Sequence, residues 1–189
     1  MKRPIFLLSL ALLLLAPRLG ETTTVKRLTH PQLVKSAAEI VHGDCLEAAP
    51  EWDSSHRRIF TRVRFAVREH LKGEGGSTME LLVPGGEIGG VSYVIHGMPT
   101  FTAGEEVVVY ATAAHPKSKV KIPVGLDQGC YRIQRSQSVA PAARRDMRQL
   151  ILAEPGKRPA RGHAETVPLE DLLQRIRGEV ASQKKSAGK

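Results

Sequence analysis

The sequence predicts a β-rich α+β domain, a small closed five-stranded barrel with a short helix near its start and an amphipathic helix at its end. Three observations carry this. Residues 58–70 (RIFTRVRFAVREH) alternate with period two: Ile59, Thr61, Val63, Phe65 and Val67 fall on one face and Arg58, Arg62, Arg64 and Arg68 on the other, the mark of a long strand with one buried side. Further short runs rich in β-branched and aromatic residues, at 39–47, 78–83, 106–112 and 128–134, are separated by Gly- and Pro-containing turns, as in small barrels. Residues 168–180 place Leu169, Leu172, Leu173, Ile176 and Val180 on one stripe at helical spacing.

Taken in order, the chain opens with Met1-Lys2-Arg3 and an apolar run from Ile5 to Ala16. About 12 apolar residues behind a positive start fit a secretory signal peptide and are too few to span a bilayer. Residues 1–20 are therefore expected to be removed on export to a periplasmic or extracellular destination. They carry Lys2, Arg3 and Arg18 and no acid, so a formal net charge of +9 becomes +6 in the mature chain. Residues 21–152 form the barrel domain. Within it, residues 21–28 read as an arm, and Thr29-His30-Pro31 as a helix start with a capping Thr and a first-turn Pro. A two-turn helix is expected at 30–37. Gly43, inside the strand at 39–47, signals a bulge or a close backbone approach. Residues 48–56, including Trp52, the single tryptophan, read as a loop, and 117–124 as a basic loop or short hairpin. Residues 146–152 read as a last strand or one helical turn, with strand favoured. The Pro- and Gly-containing stretch at 153–167 reads as a linker, 168–182 as the amphipathic helix, and 183–189 as a basic tail.

The search for chemistry is short. His30, His42, His56, His70, His96, His115 and His163 stand singly, with no H-x-x-x-H or C-x-x-C spacing. No G-x-S-x-G elbow is present. The stretch Gly85-Gly86-Glu87-Ile88-Gly89-Gly90 lacks a following Gly-Lys-Ser/Thr and leads into Val91-Ser92-Tyr93-Val94, which is strand rather than helix. It reads as a hairpin loop, not a phosphate cradle. Few aromatics are present, and Phe60, Phe65, Tyr93, Phe101, Tyr110 and Tyr131 are expected in the core, which leaves too few for a base-stacking groove. Neither catalytic residues, cofactor, metal nor nucleic-acid partner is expected. Cys45 and Cys130, an even number in an oxidising compartment, are a disulfide candidate. The ridge Gly85, Gly86, Glu87, Ile88, Gly89 and Gly90 is the candidate partner-contact loop of a non-catalytic binding module. An alternative is a cationic protein held on anionic envelope polymers by its net charge, and a less favoured one an enzyme with an unrecognised site.

Two segments add a resemblance. His30 to Cys45 (HPQLVKSAAEIVHGDC) and Arg58 to Gly73, ending in Leu71-Lys72-Gly73, resemble the opening of the tissue inhibitors of metalloproteinases. Val83 to Gly86 and Phe101 to Glu105 resemble segments of exported bacterial proteins of uncharacterised role. The resemblance covers roughly residues 30–134. It implies a netrin-like, oligonucleotide-binding-type barrel and an exported protein partner, a metalloprotease among the candidates. The inhibitors' zinc-chelating N-terminal Cys has no counterpart between Glu21 and Asp44, so no mechanism is carried over.

Overall fold

A computed structural model describes residues 23–116 and 120–188. Residues 1–20, read above as a signal peptide, lie outside the described residues. After strand β1 (Thr23–Lys26), helix α1 (His30–Ser36) forms where expected. Thr29 and Gln32 make a reciprocal capping box: the Gln32 N–H donates to Thr29 Oγ1 and the Thr29 N–H to Gln32 Oε1. This satisfies two of the N–H groups that a helix start leaves free.

Strands β2 (Glu39–Trp52) and β3 (Ile59–Lys72) form a long antiparallel hairpin. Its turn is fixed by the Asp53 carboxylate, which accepts from the Arg57 and Arg58 N–H groups at 2.8 and 3.2 Å. The register slips at three places, one of them between His42 and Gly43. A Cβ on Gly43 would stand 2.3 Å from the Ala66 carbonyl oxygen, so the close approach inferred from the sequence is real and accompanies the bulge. β2 also runs five residues past the expected end, through the stretch read as a loop. Pro50 is tolerated there because β7 pairs only with Glu39 to Asp44, which leaves that part of β2 bonded on one side by β3.

The chain continues through β4 (Thr78–Pro84), β5 (Gly86–Ile88), β6 (Val91–Tyr93), β7 (Glu106–Ala111), a 3-10 turn at Leu126–Gly129, β8 (Cys130–Gln134), β9 (Ala142–Asp146), β10 (Leu150–Ala153), β11 (Ala160–Arg161), β12 (Ala164–Pro168) and α2 (Leu169–Ala187). The main sheet has the order β12-β9-β8-β7-β2-β3-β4, every neighbouring pair antiparallel. A second sheet, β1-β10-β11, joins the two ends of the described chain, with β1 and β10 parallel. β5 and β6 form a separate hairpin.

The protein is thus β-rich with two helices, but among the described residues no sheet closes. The seven-stranded sheet has β4 and β12 at the ends of its order, and the closure of a five-stranded barrel is not seen among these strands. β9 and β12 extend the sheet beyond β8. The expected linker at 153–167 is also corrected: β11 and most of β12 lie within it, paired to β10 and β9. The C-terminal helix begins at Leu169 and takes in most of the segment read as a tail.

Side chains alternate across the sheet and bury both faces. Helices α1 and α2 cover one face. Leu33, Val34, Leu172, Leu173 and Ile176 pack there with Ile40, Leu71, Val108, Tyr110 and Tyr131. On the other face, Val41, Val63, Phe65, Leu81, Val107 and Val109 lie beneath Met98 and Phe101. Burying each such side chain stabilises the fold by about 1.5–3 kcal/mol. Phe65, Phe101, Tyr110 and Tyr131 join the core as expected, whereas Tyr93 is at the surface.

Candidate functional site

The six residues Gly85, Gly86, Glu87, Ile88, Gly89 and Gly90 fold into the tight β5–β6 hairpin. Gly89 (φ 57°) and Gly90 (φ 79°) are both left-handed and link Ile88 to Val91 in two residues, the geometry that a right-twisted hairpin favours. The base of the hairpin is anchored: the Gly85 N–H donates to Ile59 O at 2.9 Å and Thr61 Oγ1 donates to Gly85 O at 2.7 Å. Gly86 lets the hairpin lie flat on the central strands, since a Cβ there would meet Thr61 Oγ1 at 2.8 Å and Ile59 Cγ2 at 3.0 Å. The next residues, Val91, Tyr93 and Val94, are 51%, 36% and 64% exposed.

Beside the hairpin is a cavity of about 370 Å³, whose lining includes Val63, Val83, Ile95, Met98 and Phe101. Its far wall, 95–101, is held in three places. Phe101 meets Phe65 edge-on with ring centres 5.2 Å apart. Arg132 Nη2 donates to Thr100 O at 2.6 Å. Gly97 accepts from the Asp127 N–H at 2.8 Å and donates to Gln149 Oε1 at 3.3 Å. Gly97 has φ 79°, and a Cβ there would come within 2.1 Å of Leu150 Cδ2. The cavity is therefore preformed, apolar inside and rimmed by Thr100, Gln149 and Glu87. Such a site receives apolar side chains and fixes them with a few polar contacts.

The other candidates resolve differently. Cys45 and Cys130 are both buried and free, which corrects the disulfide expectation. β7 stands between their strands, and Cys130 is level with Val109, which is level with Val41. Two strand spacings, about 9.5 Å, and four residues along β2 separate the thiols, beyond the reach of a disulfide. Burial pushes the Cys130 thiol up to about 12 and raises Cys45 as well, so neither is a ready thiolate nucleophile.

His42, not singled out by spacing, is buried with Glu106. Its Nε2–H donates to Glu106 Oε1 at 2.7 Å. Arg135 grips the same carboxylate through Nε and Nη2 at 2.6 and 2.7 Å, and Arg68 Nη1 lies at 3.2 Å. The Arg135 bonds, with the His42 bond and the Arg68 charge, hold the Glu106 carboxyl down at about 2. Asp127 goes the other way, pushed up to about 7 by burial and by the nearby Asp146. Among the described residues no three His, Cys, Asp or Glu side chains converge as a metal set, and no helix is long and apolar enough to cross a membrane.

The sequence supplied the hairpin but not the cavity, whose walls come from β3, β4 and the 94–101 segment. Tyr93 and Val94, which line it, follow the glycines directly but read locally only as strand residues. Compared with known proteins, the chain matches no family model, no curated protein and no solved structure.

Proposed function

We propose that the chain is an exported, non-catalytic binding module that docks a partner protein of the envelope or extracellular space on the β5–β6 hairpin and the cavity beside it. The observation that supports this best is two exposed apolar side chains, Tyr93 and Val94, lining an anchored apolar cavity, with the exposed Val91 beside them in the same hairpin. Exposed apolar surface grouped in this way marks an interaction site, and a preformed site spares a partner the cost of ordering it. On this reading the domain is a netrin-like relative whose sheet is extended by β9 and β12. A co-secreted metalloprotease is the specific partner class that the resemblance suggests. Without an N-terminal Cys, contact would fall to the hairpin rather than to the enzyme's zinc.

The test is capture by the immobilised chain from Glu21 onward, using envelope and culture-fluid extract of the source cell. One stoichiometric protein is expected. Val91→Asp with Val94→Asp should weaken its capture at least about ten-fold, as loss of hot-spot contacts does. Val139→Asp, at a side chain that is 69% exposed elsewhere, should leave capture unchanged. Equal capture by all three proteins would remove the hairpin from the interface.

A further inference from the structure

A second concave surface lies on the opposite, helix-covered side. It is a groove of about 570 Å³ between α1 and the C-terminal half of α2, lined by Pro31, Gln32 and Lys35 from α1, Lys72 from β3, and Val180 and Lys184 among the residues from α2. Its lining contains three ammonium groups and no carboxylate. Lys35 and Lys184 are exposed. Lys72 Nζ donates to Val34 O at 2.6 Å and Ala37 O at 2.5 Å. That uses two of its three N–H bonds and leaves the third for a ligand. Among the described residues none of these three lysines has a carboxylate partner, and burial alone holds Lys72 below its usual range.

Helical spacing explains the arrangement. Four residues before Lys184 stands Val180, and four before Lys35 stands Pro31. The position that most often supplies a helical counter-ion here supplies apolar floor instead. Lys35 and Lys184 are exposed beside that floor, while Lys72 is half-buried against the α1 end. Lys185 adds a further exposed cation in the last turn of α2.

We infer that this groove docks the protein on an anionic bilayer surface, with lipid phosphates on Lys35, Lys72 and Lys184 and the glycerol and upper acyl region against Pro31 and Val180. The charge pattern selects the occupant. A soluble acidic protein or polyanion would need the lysines but not the apolar floor. A neutral hydrophobe would need the floor but not the lysines. A lipid headgroup with the start of its chains needs both, and clustered Lys near a surface is the pattern that anionic leaflets attract. This inference is independent of the hairpin site.

The test is co-sedimentation of the chain from Glu21 onward, which contains every described residue, with vesicles of phosphatidylcholine alone or mixed with phosphatidylglycerol. Partitioning should rise at least about ten-fold with the anionic lipid and fall as salt is added. Lys35→Glu with Lys184→Glu should abolish most of that gain. Arg158→Glu with Arg161→Glu, at exposed positions away from the groove, makes the same change in net charge and should cost no more than about two-fold. Circular dichroism would confirm that all four positions tolerate the change. Equal loss in both double variants would overturn the site and leave only net charge. So would the absence of any anionic preference. Groove-dependent binding of polyphosphate or an acidic peptide without vesicle binding would overturn the membrane as occupant.

Discussion

The arginines of β3 and the lysines of the helix groove contribute the same sign of charge but are used in opposite ways. Arg62 pairs with Glu51 at 2.6 Å, Arg64 with Glu47 at 3.1 Å, and Arg68 with Asp44 at 2.6 Å and Glu106 at 3.2 Å. The groove lysines meet carbonyls or solvent. Strand geometry makes the difference. Directly opposite residues sit about 4.5–5.5 Å apart and diagonal ones within reach of long side chains, so Arg64 meets Glu47 across the ladder and Arg62 and Arg68 reach Glu51 and Asp44 diagonally. A helix offers such a neighbour only three or four residues away, and there these helices carry Pro31 and Val180. Net charge read from composition cannot separate a neutralised sheet from an uncompensated groove.

The largest expected effect comes from breaking the paired side at its buried carboxylate. Glu106→Ala removes the carboxylate shared by His42, Arg68 and Arg135 and should cost about 3 kcal/mol in urea unfolding. A loss below about 1 kcal/mol would place this cluster with ordinary surface pairs. The same carboxylate gives a pH signature. Its folded value of about 2 lies below the usual 4.5, so its stabilisation is present above pH 4.5 and lost as pH falls toward 2. Glu106→Gln should flatten the acid limb of the stability profile over that window, leaving the part due to Asp146, which Arg148 also holds at about 2. Next comes Lys72→Met, which keeps the stem but frees the carbonyls of Val34 in α1 and of Ala37 just after it. A loss of about 1 kcal/mol is expected by thermal unfolding. Smallest is Lys35→Ala with Lys184→Ala, which should change stability by less than about 0.5 kcal/mol. A larger loss would mean that these lysines serve the fold rather than a ligand.

What was legible in the sequence follows from the range of the interactions. The capped helix at 30–36, the alternation of β3, the Gly43 approach and the stripe of α2 are local patterns, and all appear. The extension of β2 through Ala48 to Trp52 was hidden because its stability comes from pairing with β3 rather than from its own Ala- and Pro-containing composition. β11 and β12 were hidden for the same reason: Ala160–Arg161 and Ala164–Pro168 have no period-two face of their own. The order of strands, and with it the separation of Cys45 from Cys130, is a property of the whole sheet. Of the candidate site, the glycines showed where the chain turns. That Val63, Val83, Met98 and Phe101 would converge beside them is long-range information which no local pattern contains.

The parallel pairing of β1 with β10 has a consequence in time. Thr23 to Lys26 are held by Leu150 to Ala153, and the adjoining Leu28 N–H donates to Gln128 Oε1, while Gln128 Nε2 donates back to Lys26 O. Every one of these partners lies far downstream. Closing so large a loop is unfavourable until the contacts that reward it exist. As the chain leaves the ribosome, its leading end therefore has no docking place until most of the rest has been made. Thr23 to Lys26 are then among the last residues to lock, and they remain open to whatever handles the nascent chain until Leu150 to Ala153 have been made.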